Sequence, residues 1–160
     1  MTQNEVVQHL LRMGAGNHGD NVRVLEQFTH VFLTELSEQE FLDLVFLQTS
    51  PLEMICPRGA DRRLKAVATR ALTISQPRLG ANWDLDDVRQ RTEDALRFAQ
   101  GFQALLLREA KHSELNHGIW YLQDGSHRAL GYSIAFLGGR ISYTAVTAYV
   151  CTSQTFREFA

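Results

Sequence analysis

Five consecutive residues hold the densest chemistry in this sequence: Asp124, Gly125, Ser126, His127 and Arg128, within "WYLQDGSHRALGYSIAF" at 120–136. They place a carboxylate, a hydroxyl, an imidazole and a guanidinium between two apolar segments. If a strand ends here and a helix begins, the first helical turn adds backbone N–H groups without intrahelical partners and the positive end of the helix dipole, which attract an anion such as phosphate. Gly125 would let the main chain approach that anion, Ser126 would add a hydroxyl donor, and His127 and Arg128 would add charge-assisted bonds. His127 is a candidate phosphate donor or proton shuttle. Asp124 is an acceptor at the mouth, able to orient a water, a metal or a cation, and is the nearest candidate base. Two plainer readings use the same residues. Asp-Gly is a favoured hairpin turn, and Asp124 paired with Arg128 would be a structural cap. The steps of three and four from Leu130 to Ile134 and Leu137 favour a helix over the hairpin.

The elements that must position this turn follow from the pattern around it. "GIWYLQ" at 118–123 is short and rich in β-formers, "SHRALGYSIAFL" has helix spacing, Gly138-Gly139 supplies a left-handed stop, and "ISYTAVTAYVC" at 141–151 is a second strand. This order predicts a crossover unit with both strands in one sheet, a parallel pairing being one arrangement open to it. Upstream, Val6, Leu10 and Leu11 predict a helix over 5–13. Val24, Leu25, Phe28, Val31, Phe32 and Leu36 predict another over about 21–36. Ser37 and Glu40 form a capping box before the apolar "FLDLVFL", a helix expected to be buried. "RGADRRLKAVATRALTI" is a further helix, with Leu64, Val67, Ala68, Ala71 and Leu72 inward. Val88, Ala95, Leu96, Ala99, Phe102, Gln103 and Leu106 predict the longest helix over 85–111, capped by Asp84. Connections are expected at 14–21, between Pro51 and Pro57, and at 75–84. "GAGNHGDN" at 14–21 has neither a strand before it nor Gly-Lys-Ser after it, so His18 and Asp20 are loop residues there and not part of a phosphate loop. The fold class expected is α+β in a single domain over 1–160. A mainly helical part at 1–75 packs on a small mixed sheet, and 76–160 contains the strand-helix-strand unit.

From Trp120 to Thr152 the chain resembles the nucleotide-binding half of the ParB/sulfiredoxin superfamily, in which a strand leads into a Gly-x-His-Arg or Gly-x-x-Arg turn, then a helix, then a last strand. The resemblance implies that Gly125, Ser126, His127 and Arg128 bind the phosphates of ATP or CTP with Mg²⁺. It also implies NTP hydrolysis or phosphoryl transfer, with Asp124 and His127 as the candidate catalytic pair and DNA cleavage as a related activity. Ser126 stands where a sulfiredoxin carries its reactive cysteine, which removes the thiolate that a sulfinic acid reductase needs. The N-terminal half of the usual ParB-like domain, with its short strands, is not evident in 1–75.

Composition narrows the alternatives. With 160 residues, 44% of them hydrophobic, the chain can bury a core without disulfides, and its formal charge of -2 provides no global field toward nucleic acid or an anionic membrane. Cys56 and Cys151 match no zinc or redox spacing, and the N-terminus lacks the basic start and apolar run of a signal peptide, so a cytoplasmic setting without membrane contact is expected. In "EAKHSELNH", Glu109, His112 and His117 do not have the spacing that puts two histidines on one helical face, and a solvated helix end is expected rather than a metal site. Residues 51–80 hold Arg58, Arg62, Arg63, Lys65, Arg70 and Arg78 against Glu53 and Asp61. Arg58, Arg62, Arg63 and Lys65 are therefore candidate contacts to nucleic acid or an acidic protein partner, the alternative being a solvated helix face. Catalysis, DNA binding and a non-catalytic interaction or inhibitor role all remain open at this level, as does the oligomeric state.

Overall fold

A short, continuously apolar run, Leu105-Leu106-Leu107, sets the middle of the structure. A computed structural model of the chain describes residues 18–28, 30–46, 55–73, 83–98 and 104–153, with the isolated helical positions Glu5 and Gln8. The described helices are α1 (His18–Gln27), α2 (Glu38–Leu42), α3 (Leu64–Thr73), α4 (Trp83–Phe98) and α5 (Ser126–Leu137). The strands are β1 (His30–Leu36), β2 (Leu105–Glu109), β3 (Trp120–Asp124) and β4 (Val146–Thr152). They form one mixed sheet in the order β1-β4-β2-β3. β2 pairs antiparallel with β3 and parallel with β4, and β4 pairs antiparallel with β1. The protein is therefore mixed α and β, as expected. No described helix is long and apolar enough to cross a membrane.

β2 is buried on both faces: Leu105 and Leu107 belong to the larger core cluster and Leu106 to a smaller one with Leu25, Val31, Tyr149 and Cys151. A strand buried on both sides shows no alternation, and periodicity alone cannot tell it from a buried helix. The helix expected over 85–111 is accordingly two elements, with α4 ending at Phe98 and Leu106 in β2. Asp84 lies inside the first turn of α4 rather than before it. The helix expected over 21–36 is likewise divided into α1 and β1. "HVFLTEL" is held extended by seven register positions against β4, from His30 opposite Thr152 to Leu36 opposite Val146.

The capping box forms as expected: Ser37 Oγ accepts from Glu40 N and Glu40 Oε2 accepts from Ser37 N. The helix it opens is brief, because Leu44, Val45 and Phe46 turn extended and bond to other segments. Val45 N donates to Trp120 O, Leu122 N donates to Val45 O, and Phe46 N donates to Arg62 O. All three side chains are buried. In α3, Leu64, Val67 and Ala68 face the core, whereas Leu72 is exposed. Of the helix expected over 5–13 only Glu5 and Gln8 are described, and residues 14–17 and 75–82 of the expected connections, with Pro51, Arg78, Ala99, Phe102 and Gln103, lie outside the described residues. His18 and Asp20, expected in the 14–21 connection, instead lie in the first turn of α1.

β3 and β4 share the sheet but run in opposite directions with β2 between them, so the strand-helix-strand unit is not a parallel crossover. Asp124, at the end of β3, lies opposite Leu106 near the start of β2, and Leu105 lies opposite Ala148 near the start of β4. After α5 the chain must therefore come back along the helix before β4 can begin. Gly139, at φ +75°, ends α5, with Gly139 N donating to Phe136 O and Arg140 N to Ala135 O. The returning segment is tied down by Tyr132, whose hydroxyl accepts from Thr144 N and donates to Thr144 O, and by Tyr143, whose hydroxyl donates to Leu36 O. Phe41, Tyr132, Phe136 and Tyr143 form a ring cluster with centroids 5.2 to 6.1 Å apart.

The β2–β3 connection has its own clamp. Arg108, buried, donates from both terminal nitrogens to Glu114 at 2.8 and 3.0 Å, and its guanidinium lies 4.8 Å from the Tyr121 ring centroid. Arg108 holds the Glu114 carboxyl below its usual range, against the opposing effect of burial, with the Lys111 backbone N–H assisting. An acid held low in the fold contributes stability above its unfolded pKa of about 4.3 and loses it as pH falls through the folded value. Glu114→Gln should therefore lower stability at neutral pH and flatten its decline below about pH 4, as read by urea unfolding across a pH series.

Gly131 sets the distance between α5 and α4. A Cβ there would lie 2.6 Å from Arg91 Cβ and 2.7 Å from Thr92 N. Because one of those atoms is backbone, Gly131→Ala must push the helices apart, and a loss of about 2 kcal/mol in unfolding free energy is expected.

Candidate functional site

The turn at 124–128 sits where the sequence implied, at the end of a strand and the start of a helix. Gly125 takes the N-cap position of α5 at φ +91° and ψ +17°, a left-handed conformation that favours glycine. A Cβ at this position would come within 2.5 Å of Leu105 Cδ2 and 2.9 Å of Arg128 Nη2. Strand β2 thus packs against one side of the glycine and the Arg128 guanidinium lies against it as well. The Asp-Gly pair opens a helix here, not a hairpin. Gly125 O accepts from Ala129 N in the first α-helical turn.

The titratable side chains of the turn divide into two pairs. Arg128 Nη2 donates to Asp124 Oδ2 at 3.3 Å, one helical turn apart, with side-chain exposures of 15% and 12%. Burial pushes the Asp124 carboxyl above its ordinary value, opposed by Arg128, by a hydrogen bond from the Asn21 side chain and by the Gly125 backbone N–H. Burial also draws the Arg128 guanidinium down, opposed by Asp124 and reinforced by the charge of Arg91. Both shifts have the same leading cause, a buried pair whose desolvation outweighs its mutual attraction. The pairing of Asp124 with Arg128 foreseen as a plainer reading is therefore present, without a side-chain N-cap bond to α5.

The second pair joins two helices. His127 Nδ1 lies 2.7 Å from Asp87 Oδ2 on α4, and Arg91 Nε lies 3.6 Å from the other Asp87 oxygen. Asp87, Asn21 and Arg91 were not marked by the sequence. A contact across forty residues leaves no local signature, and the Asp87–Arg91 spacing by itself suggests only a surface helix pair. Asn21 falls in the glycine-rich segment taken as a connection, yet it is a buried residue of α1.

The remaining candidates separate from this group. Arg62 Nε donates to Phe46 O and its guanidinium lies 5.9 Å from the Tyr121 centroid, so it serves the packing of that loop. Arg63 is bound to Asp61, at 2.7 Å for the closest contact, and lies 4.0 Å from Asp43. Arg70 donates to the carbonyls of Ile55 and Asp61. Arg58 and Lys65 are exposed. Glu109 ends β2 and accepts from Thr152 Oγ1 and Ser153 N, whereas His112 and His117 lie in the β2–β3 connection, so "EAKHSELNH" is not a helix end. Among the described residues no three His, Cys, Asp or Glu side chains converge as metal ligands. Cys56 and Cys151 are buried free thiols, and burial pushes Cys151 up to about 12.

A cleft of about 960 Å³ lies away from the turn. It opens at the other end of β3, between Trp120, Ile119, Leu115, Asp43 and Asp61. That cleft carries Asp43, Asp61, Arg63 and His117, with Asp61 and Arg63 paired to each other, whereas the turn at the opposite end of β3 gathers Asp124, His127 and Arg128 with Asp87 of α4. No protein-family model, curated protein or solved structure matches the chain.

Two glycines with similar positive φ isolate the packing requirement at the turn. Gly59, at φ +84°, has nothing within 4 Å of where a Cβ would stand, unlike Gly125. Gly59→Ala should cost only backbone strain, about 1 kcal/mol, and Gly125→Ala about 2 kcal/mol more. Equal losses in urea unfolding would show that the close approach of Leu105 and Arg128 does not constrain Gly125.

Proposed function

We propose that the 124–128 turn is the phosphate-binding element of a nucleotide-binding protein of the ParB/sulfiredoxin-like type. ATP or CTP with Mg²⁺ is the ligand, and NTP hydrolysis or phosphoryl transfer is the reaction, with DNA cleavage as a related activity. The observation that carries this reading is the left-handed Gly125 at the head of a twelve-residue helix with no side-chain N-cap bond, flanked by His127 and Arg128 in the first turn. Backbone donors of that turn and the guanidinium would stabilise charge developing on the transferred group. Ser126 would add its hydroxyl. Mg²⁺ takes most of its ligands from water and phosphate and needs one or two carboxylates, a demand that the single carboxylate of the turn, Asp124, fits. When bound, the ion would offset charge on the phosphate oxygens.

A second reading, a non-catalytic interaction or inhibitor protein, draws on the internal pairing of Asp124 with Arg128 and of Asp87 with His127, which a purely structural turn would also show. DNA contact through the basic segment rests on Arg58 and Lys65, since Arg62 and Arg63 bond within the protein.

Calorimetric titration of the full chain with MgATP, MgCTP and MgADP separates these readings. Saturable binding is expected, weakened at least tenfold in Arg128→Ala and reduced in Ser126→Ala, with each variant first shown to be folded. Ligand at a hundredfold excess over Kd should stabilise the wild type by about 2.7 kcal/mol. A folded wild type that binds none of the three at millimolar concentration would rule the proposal out.

A further inference from the structure

The cleft at the N-terminal end of β3 carries features that the turn does not use. Among the described residues, the large apolar side chains left exposed are Leu33, Leu72, Leu115 and Ile119, and the last two, 47% and 48% exposed, share this one concavity. Exposed apolar side chains that cluster in a cleft mark a binding surface, whereas single ones scattered over a protein do not. The volume, about 960 Å³, lies at the upper end of the range in which folded proteins take ligands. Each stretch of the lining is tied down by bonds of its own. The Arg108 guanidinium and the Tyr121 hydroxyl hold Glu114 beside Leu115, and Val45 ties the segment after Asp43 to β3. Ala60 N donates to Pro57 O and Phe46 N to Arg62 O, on either side of Asp61. A partner therefore meets walls already in place, at little cost in ordering.

The charged part of the described lining is acidic, with Glu40, Asp43 and Asp61 against Arg63. Glu40 is engaged in the capping box, where its Oε2 accepts from Ser37 N. Both Asp61 oxygens accept from Arg63, which occupies that guanidinium as well. Asp43 differs. Its Oδ2 accepts from Gln39 Nε2, but no described residue donates to its Oδ1, Arg63 stays 4.0 Å from that oxygen, and 48% of the side chain is in solvent. A carboxylate has acceptor capacity for several donors, so Asp43 can take a guanidinium or an ammonium from outside. Gly118, also in the lining, precedes the stretch of β3 that Val45 bridges, and no described residue bonds to its N–H or its carbonyl. A peptide main chain brings both a donor and an acceptor to such a position, which a simple amine does not.

We infer that this cleft binds a peptide segment of a partner protein, in which an Arg or Lys side chain meets Asp43 and the apolar side chains beside it rest on Leu115 and Ile119. Charge complementarity selects the basic residue and disfavours phosphate or an acidic peptide, because the carboxylate with acceptor capacity to spare is the one facing solvent. The apolar pair supplies the buried area that a surface ion pair by itself does not convert into affinity. The cleft and the turn lie at opposite ends of β3, so peptide binding neither requires nor excludes a nucleotide at the turn.

Selection of a displayed library of random short peptides on the full chain tests the assignment. Recovered peptides should carry Arg or Lys next to apolar residues, and their synthetic forms should bind saturably in calorimetry, with amide shifts that map to residues 115–119. Asp43→Asn and Leu115→Ser, both at exposed positions and each first shown to be folded, should weaken that binding about fivefold or more. Exchange of the basic residue of the peptide for Glu should abolish it. Recovery of no peptide or of acidic ones, binding undiminished in either variant, or shifts that map elsewhere overturns the inference. Butylguanidinium binding as tightly as the peptides would assign the cleft to a small cation, which overturns it as well.

Discussion

The parallel pairing of β2 with β4 is the constraint on which the rest of the arrangement depends. Parallel neighbours cannot be joined by a tight turn, and here the connection contains another strand, β3, and a helix, α5. The hairpin from β2 brings Asp124 back beside the start of β2. The start of β4 lies at that same edge. A helix leaving from there must be followed by a return, which explains why eight residues separate α5 from β4 and why their hydrogen bonds go to Tyr132 and Leu36 rather than to a sheet partner. The turn at 124–128 is thus placed by topology against the buried end of β2, and the side chain of Leu105 packs against Gly125 as a direct result.

The same packing determines what the polar groups can reach. α5 lies on the larger core cluster through Ala129, Leu130, Tyr132 and Phe136, leaving its opening turn at the edge of the sheet. α4 contacts it where Gly131 removes a side chain, and this brings Asp87 to the level of His127. A bulkier residue at 131 would move α4 as a rigid rod, so that the Asp87–His127 contact would lengthen with the packing distance. Helix packing and hydrogen-bond geometry are therefore coupled through one position, and chemistry that depends on the pair depends on that glycine as well.

What could be seen in the sequence was whatever local cues decide. The Ser37–Glu40 capping box, the start of a helix after Asp124-Gly125, and the Gly138-Gly139 stop each act within a few residues, and each forms as its spacing implies. β1 and β2 were concealed because their identity is decided by partners far away. "HVFLTEL" has apolar residues compatible with either period until seven pairings to β4 select the extended form. "LLLRE" has no alternation because both of its faces are buried. The site divides in the same way. Asp124, Gly125, Ser126, His127 and Arg128 are contiguous and were visible, whereas Asp87 and Asn21 join them only through tertiary packing.

The pairing of Asp124 with Arg128 also sets the terms on which an anion can bind. Burial already draws the arginine down and pushes the carboxyl up, so the pair is a partly compensated dipole rather than an open positive charge. An incoming phosphate would compete with a carboxylate that covalent connection keeps at a high effective concentration. Coulomb attraction to Arg128 would therefore return less than it would at a bare guanidinium, and the selective part of any affinity would come from backbone donors at the head of α5, whose directions the fold has already fixed. A phosphate that brings its own divalent cation has a further advantage. The cation gives Asp124 a second partner, so the carboxylate need not lose compensation when Arg128 turns toward the ligand. If the turn binds phosphate as proposed, a metal-bound polyphosphate would suit it better than a bare monoanion, and the resident ion pair would act as a filter for ligand charge.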